Sequence, residues 1–127
     1  MAVEVEGLRE LQDAFRQLGK DVQRTARRVV RRAAVNVKAD ARERIRGQLS
    51  DKKSYLPHYA ASIGFDMDGQ TAAVIGPDAE MKQGKFGPGV EFGSSHTPPM
   101  PHLYPAADAE EPRFYAALAD EIGKLLP

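Results

Sequence analysis

Apolar residues recur at Leu8, Leu11, Phe15 and Leu18, the spacing of one helical face, so a helix is predicted after Glu6-Gly7. Gly19 either ends that helix or is absorbed into a longer one, at a cost of about 1 kcal/mol relative to Ala. Beyond it Val22, Ala26, Val29, Val30, Ala33, Ala34, Val37 and Ala41 fall within an arc of roughly 140° when each residue turns about 100°. The opposite arc collects Lys20, Arg24, Arg27, Arg28, Arg31, Arg32, Lys38, Arg42 and Arg46. This pattern predicts a long amphipathic helix ending near Gly47, whose small Ala and Val stripe permits close approach of a sheet or another helix. Asp40 and Arg44 lie four apart on the edge of the stripe, placed to pair with one another.

The pattern then changes period. Gln48 to Pro57 is polar and reads as a connector. Ile63, Phe65 and Met67 alternate with Gly64 and Asp66, and Thr71 to Ile75 returns, so a hairpin is predicted with Asp68-Gly69 as a two-residue turn. That turn sets Phe65 opposite Ala72 and Ile63 opposite Val74 on one apolar face. Gly76-Pro77 stops the second strand. Asp78 to Gly89 is a long connection rich in Gly, Lys and Gln, of the kind that is functional or mobile in a small domain. Val90-Glu91-Phe92, bounded by Gly89 and Gly93, is consistent with a third strand. Ser94 to Pro101 holds Pro98, Pro99 and Pro101 and is expected to be extended. A last helix carries Leu103, Ala106, Ala107, Phe114, Leu118, Ile122 and Leu125, with Pro112 marking either a kink or a fresh start. The expectation is an α+β fold in which long N-terminal amphipathic helices pack on a small antiparallel sheet and a C-terminal helix closes it. One domain over residues 1–127 is the economical reading at this length.

Composition narrows the function classes. The chain is 42% apolar and 28% charged, with no run approaching a membrane span and no cysteine. Disulfide frameworks, thiolate metal sites and cysteine nucleophiles are excluded. Residues 1–10 are acidic and lack an apolar core, so no signal peptide is expected there. The net charge is zero, but unevenly made. Residues 20–46 hold ten basic and three acidic side chains, a net +7, and the remainder holds eight basic and fifteen acidic, a net −7. Opposed blocks of this kind suit a polyanion contact or association between copies of the chain.

Candidate chemistry is sparse. His58, His96 and His102 form no metal motif, and Asp66, Asp68 and Asp78 lack calcium-loop spacing. Gly84, Gly87 and Gly89 do not match a phosphate loop, and Ser94-Ser95-His96 has no nucleophile-elbow sequence. No enzyme signature, cofactor or metal is expected. A hydrolase built on His96 or His102 would require a pocket bringing either histidine near a carboxylate.

The order of these features resembles the gene-product-ten-like family of tailed-phage neck and tail-completion proteins, named after a phage of the HK type. The likeness runs over nearly the whole chain, from the Gly7-Leu8 helix and the basic helix, through Tyr59-Ala60-Ala61-Ser62-Ile63, to Val74-Ile75-Gly76-Pro77. Its most specific part is Val90-Glu91-Phe92-Gly93, a Pro-containing loop, and Pro101-His102-Leu103-Tyr104-Pro105-Ala106. Members typically read Glu-Phe-Gly, a short gap, then Pro-Phe-Leu-x-Pro-Ala. Here His102 stands where Phe is usual, and the Thr-Gly pair common before the first strand is missing.

The resemblance implies a non-enzymatic virion component at the head–tail junction, made in the bacterial host cytoplasm. It would be a tail terminator or neck subunit forming a ring, often hexameric, against tail-tube and head-closure proteins. No membrane partner is expected, and DNA in the channel is a non-specific contact. Candidate interaction residues are Arg24, Arg28, Arg31, Lys38 and Arg42 on the basic face. In the loop and motif they are Lys82, Lys85, Phe86, Glu91, Phe92, Gly93 and Pro101, with Phe92 expected to pack and Glu91 to bond locally. The alternative is a small DNA-binding protein using the same five basic side chains, with an affinity that falls steeply as salt rises.

Overall fold

The two N-terminal helical patterns fuse into one element. A computed structural model, which describes residues 7–50 and 56–126, has a single helix α1 (Leu8–Ser50) of 43 residues, about 65 Å long at 1.5 Å per residue. Gly19 is absorbed, with no neighbour that would clash with a side chain there. The helix passes the expected stop at Gly47 because Leu49 packs on the core and Gln48 donates to the Pro101 carbonyl at 2.8 Å. Residues 51–55 of the predicted connector lie outside the described residues.

A one-turn helix α2 (Tyr59–Ser62) buries Tyr59, Ala60 and Ser62 and feeds β1 (Ile63–Asp68), which pairs antiparallel with β2 (Ala72–Pro77). The hairpin forms, but in a different register. Phe65 faces Ile75 and Ile63 faces Pro77, because Gly69, Gln70 and Thr71 all belong to the loop and Gly69 takes a left-handed φ of 69°. Since side chains alternate between faces, this odd shift moves Val74 from the expected apolar face to an exposed position opposite Asp66.

The hairpin lies lengthwise on α1. Arg42 binds the Ile63 carbonyl, Arg31 and Lys38 approach the Phe65 ring, and Arg27 donates to the Gly69 carbonyl. Six strand residues cover about 20 Å, and the helix from Arg42 back to Arg27 covers about 22 Å. The two lengths match.

The predicted third strand is instead helical: a 3₁₀ turn (Gly84–Phe86) leads into α3 (Gly87–Phe92), so the sheet has two strands. Pro88 suits the first helical turn, and Val90 and Glu91 are both buried. Adjacent residues of a strand would point to opposite faces. The Asp78–Gly89 connection is correspondingly structured, with Glu80 N–H on Asp78 Oδ1 at 2.9 Å and Met81 N–H on the Asp78 carbonyl at 3.0 Å. Ser94 to Pro101 is not extended throughout. Ser94 and Thr97 exchange backbone bonds at 2.8 and 3.3 Å, and Met100 N–H bonds the Val90 carbonyl at 2.8 Å.

Helix α4 (Leu103–Gly123) runs antiparallel to α1, joined by Asn36–Glu110 and Arg28–Glu121 contacts. It continues through Pro112 rather than restarting there; Asp108 and Pro112 are both exposed, so water can serve the carbonyl that the ring leaves unbonded. Val37, Ala41, Ile45, Tyr59, Ala60, Ile63, Val90, Met100 and Ala106 make the core. The small residues Ala41, Ala60 and Ala106 let the elements approach closely. The fold is α+β: a long helix, a two-stranded antiparallel sheet and a closing helix.

Candidate interaction surfaces

Part of the basic face of α1 is engaged within the protein itself, although most of its side chains stay exposed. Arg42 directs Nε and Nη2 to the Ile63 carbonyl at 3.0 and 2.7 Å and Nη2 to the Ala61 carbonyl at 3.2 Å. It satisfies carbonyls where α2 becomes β1, and it is half-buried. The Arg31 guanidinium and Lys38 ammonium sit 5.9 and 5.7 Å from the centroid of the Phe65 ring, within cation–π range. Arg28 meets Glu121 at 3.1 Å and Arg24 lies 3.7 Å from Asp21. The Glu121 carboxyl is held below its ordinary value, first by its hydrogen bond with Lys124, then by the Lys124 charge and, more weakly, by Arg28. Of the five residues assigned to a free basic surface, Arg24 is the least engaged, while Arg32 and Arg46 form no ion pair among the described residues. Asp40 and Arg44 pair within α1 at 3.0 Å, as their spacing requires.

The loop candidates separate into a buried half and an exposed half. Glu91 is buried, and its carboxylate accepts the His102 N–H at 3.1 Å and the Leu103 N–H at 2.7 Å. A carboxylate from a remote segment therefore caps α4, where free N–H groups and the helix dipole favour negative charge. Gly93 follows with φ of 80°, and a Cβ there would lie 2.8 Å from the Pro99 nitrogen, so only glycine allows the chain to turn so tightly. Pro101 contributes its carbonyl, the acceptor for Gln48. Glu91, Gly93 and Pro101 thus hold the loop, with Glu91 bonding across it to the start of α4 rather than locally.

Phe92 does not. It is 65% exposed, because the helical turn that buries Val90 and Glu91 rotates the next side chain outward. Its ring lies 5.7 Å from that of Tyr104, itself exposed, so the two form an outward aromatic pair. Lys82, Lys85 and Phe86 are exposed as well, with Lys85 Nζ 5.4 Å from the Phe86 ring centroid.

His102 anchors the node. It and Tyr59 are 0% exposed. The His102 Nδ1 lies 2.8 Å from the Met100 carbonyl and 3.3 Å from Glu91 Oε1, both acceptors, so that nitrogen carries a hydrogen. Nε2 then accepts the Tyr59 hydroxyl at 2.7 Å. Burial, and secondarily the Glu91 charge, push the Tyr59 hydroxyl up to about 12. A histidine does meet a carboxylate here, as a hydrolase would need, but with side chains sealed from solvent that hold the loop to the core. His96 is exposed in the Ser94–Thr97 turn. Among the described residues, no three His, Asp or Glu side chains converge as a metal set would, and no helix is long and apolar enough to cross a membrane.

Sequence reasoning missed two apolar surfaces. Near its start α1 projects past the rest of the fold, leaving Leu11 52% and Phe15 64% exposed. The second is a groove of about 350 Å³ floored by Val30, Ala33 and Val37 between β2 and α4. The helical spacing of Leu11, Phe15 and Leu18 signalled an apolar stripe, but not that Leu11 and Phe15 would stay exposed among the described residues. Compared with family models, curated proteins and solved structures, the chain finds no match in any of the three.

Proposed function

We propose that the chain is a non-enzymatic structural subunit of a tailed phage or prophage, acting in head–tail joining or tail completion as a ring component. The observation that carries this reading is the bond between the two halves of its most specific motif. Glu91 of the Glu-Phe-Gly piece caps the helix opened by the Pro-His-Leu-Tyr-Pro-Ala piece. The two pieces, ten residues apart in the chain, therefore work as one device, and their order and spacing have a physical cause. His102, at the position where Phe is usual in the resembled family, is fully buried here and finds hydrogen-bond partners for both ring nitrogens.

The device presents Phe92 and Tyr104 outward, and the projecting part of α1 adds a second exposed apolar surface. Both support partners that are proteins: further copies in a ring, and tail-tube and head-closure subunits in the virion. Native mass spectrometry with negative-stain electron microscopy of the purified chain tests this. Closed rings of one copy number with a central channel are expected. Monomers at every concentration, or open filaments, would count against it.

A further inference from the structure

We propose that the exposed arginine row of α1 is a binding face for duplex DNA, held to its phosphates without reading its bases. This goes beyond the structural role proposed above and does not depend on ring formation.

At about 100° per residue, Lys20, Arg24, Arg28, Arg31, Arg32 and Arg46 fall within an arc of about 120° on the side of α1 opposite the buried Val29, Val37 and Ala41. All six are exposed. Between Lys20 and Arg46 that arc holds one acid, Asp21, 3.7 Å from Arg24, with Glu43 at its margin. Partners within the molecule take up little of the charge. Lys20, Arg32 and Arg46 form no ion pair among the described residues. Arg28 meets Glu121, but that carboxylate also receives Lys124 at 3.0 Å. Lys38 and Arg42 share the arc by periodicity, yet they are turned to the hairpin and half-buried. The structure thus exchanges these two of the five basic candidates for Arg32 and Arg46.

Helix α4 widens the row. Glu110 accepts Asn36 Nδ2 at 2.9 Å and lies 2.7 Å from the Arg113 guanidinium, which is itself mostly exposed. Asn36 is one turn beyond Arg32, so Arg113 extends the basic surface from α1 onto α4.

The row suits a polymer of phosphates. From Arg24 to Arg46 is about 33 Å along the helix, and one turn of B-form DNA is about 34 Å. Five of the six cations are arginine, whose planar fork matches phosphate oxygens. Residues 20–46 hold no aromatic side chain, and Phe65 beside them is covered by Arg31 and Lys38. Nothing there stacks on unpaired bases, which favours a duplex over a single strand. Val35 and Ala39 lie between the arginines, with neither hydroxyl nor amide to meet a ribose 2′-hydroxyl, which favours DNA over RNA.

Two other anionic occupants fit less well. The acids of a second copy form no matching row: outside residues 20–46 they stand singly or in adjacent pairs. Glu91 and Glu110 are buried, and Asp120 and Glu121 already serve Lys124. An anionic membrane takes up apolar side chains along with the charge, whereas Leu11 and Phe15 project from nearly the opposite side of the helix.

Fluorescence anisotropy of the full chain with a labelled DNA duplex of about three helical turns tests the face. Duplexes of unrelated sequence are expected to bind alike, with log affinity falling against log salt at a slope of about −5. Arg32→Gln and Arg44→Gln remove the same charge from the same helix, but Arg44 points away from the row and pairs with Asp40. At roughly 0.1 M salt, Arg32→Gln is expected to lose about eightfold in affinity and about one unit of slope. Arg44→Gln is expected to stay within about twofold of the native chain. Combining Arg24→Gln, Arg32→Gln and Arg46→Gln is expected to cost about a hundredfold or more, with helicity unchanged by circular dichroism. No duplex binding by the native chain at low salt would overturn the inference. So would equal losses in Arg32→Gln and Arg44→Gln, or tighter binding to single-stranded DNA or to an RNA duplex. Rings that dissolve in the triple variant while its DNA affinity stays native would assign the row to a second copy and overturn it too. A chain that binds DNA with this slope but forms no ring would support the face and overturn only the ring reading.

Discussion

Neighbouring residues Glu91 and Phe92 have opposite roles, and substitution separates them. Glu91→Ala leaves the His102 and Leu103 N–H groups without their acceptor inside the protein, and a loss of about 2–3 kcal/mol is expected in urea denaturation. Phe92→Ala removes an exposed ring, and a loss within about 0.5–1 kcal/mol is expected; under the proposed function its larger effect falls on assembly. The sequence reading singled out Glu91, Gly93 and Pro101 for the loop, but with a local bond for Glu91, whose acceptor role reaches instead to His102 and Leu103. It misplaced Phe92 because Val-Glu-Phe between two glycines satisfies a strand pattern as well as a helical turn, and only the turn puts Phe92 outside. The burial of His102 was not legible, since its partner Tyr59 comes from a segment 43 residues away. Tyr59 carries a pH consequence. Its hydroxyl rises from 10.0 to about 12 on folding. The neutral form is the folded one, so this stability is fully present below about pH 10 and lost as pH rises toward 12. Its size is at most ~2–3 kcal/mol. Alkaline denaturation of Tyr59→Phe against the native chain isolates it: the variant is expected to be less stable near neutrality, by about 1 kcal/mol for the unmet His102 Nε2, yet to lose less above pH 10. Equal slopes would show that Tyr59 ionises as easily folded as unfolded.

At the scale of elements, periodicity located α1, the hairpin and α4, while tertiary contacts set their limits. The register of the hairpin depended on a loop of three residues rather than two, a difference no alternation pattern encodes. Its consequence is physical: Ile63, Phe65 and Ile75 face α1, and Val74 does not. Arg31, Lys38 and Arg42 read as interaction candidates because helical periodicity alone does not tell that β1 will lie along them. Gly19 is the element-scale test of the projecting helix. It sits in an exposed helix interior with open space around its Cα, so Gly19→Ala removes an entropic cost without a clash. About 1 kcal/mol of local helix stability should be gained. Amide hydrogen exchange over residues 8–20 is expected to slow by about fivefold, with the urea midpoint of the core unchanged. Unaltered exchange would mean that this stretch opens together with the core rather than locally.

For the whole molecule, the opposed charge blocks bear on assembly less than their size suggests. A net +7 on residues 20–46 against −7 elsewhere invites an electrostatic contact between copies. Yet Arg42 is bound to carbonyls, Arg31 and Lys38 cover an aromatic ring, and Arg28 meets Glu121 within the same molecule. Part of the polarity is thus spent in holding the hairpin and α4 to α1, and beside the exposed arginines the surface also offers apolar contacts to the proposed partners: Leu11, Phe15, Phe92 and the β2–α4 groove. These two kinds of contact respond oppositely to salt. Raising ionic strength from roughly 0.1 M to roughly 1 M shortens the screening length from about 10 Å to about 3 Å, which removes most attraction between exposed charges. Burial of apolar surface survives, and an excluded salt such as sulfate strengthens it. Under the proposed function, ring assembly followed by light scattering is therefore expected to change by no more than a few-fold in sodium chloride and to tighten in sodium sulfate. DNA binding through the basic face would instead fall by orders of magnitude over the same range. Assembly that dissolves in sodium chloride would return the weight to the charge blocks, with Arg24, Arg32 and Arg46 as the side chains left to carry it.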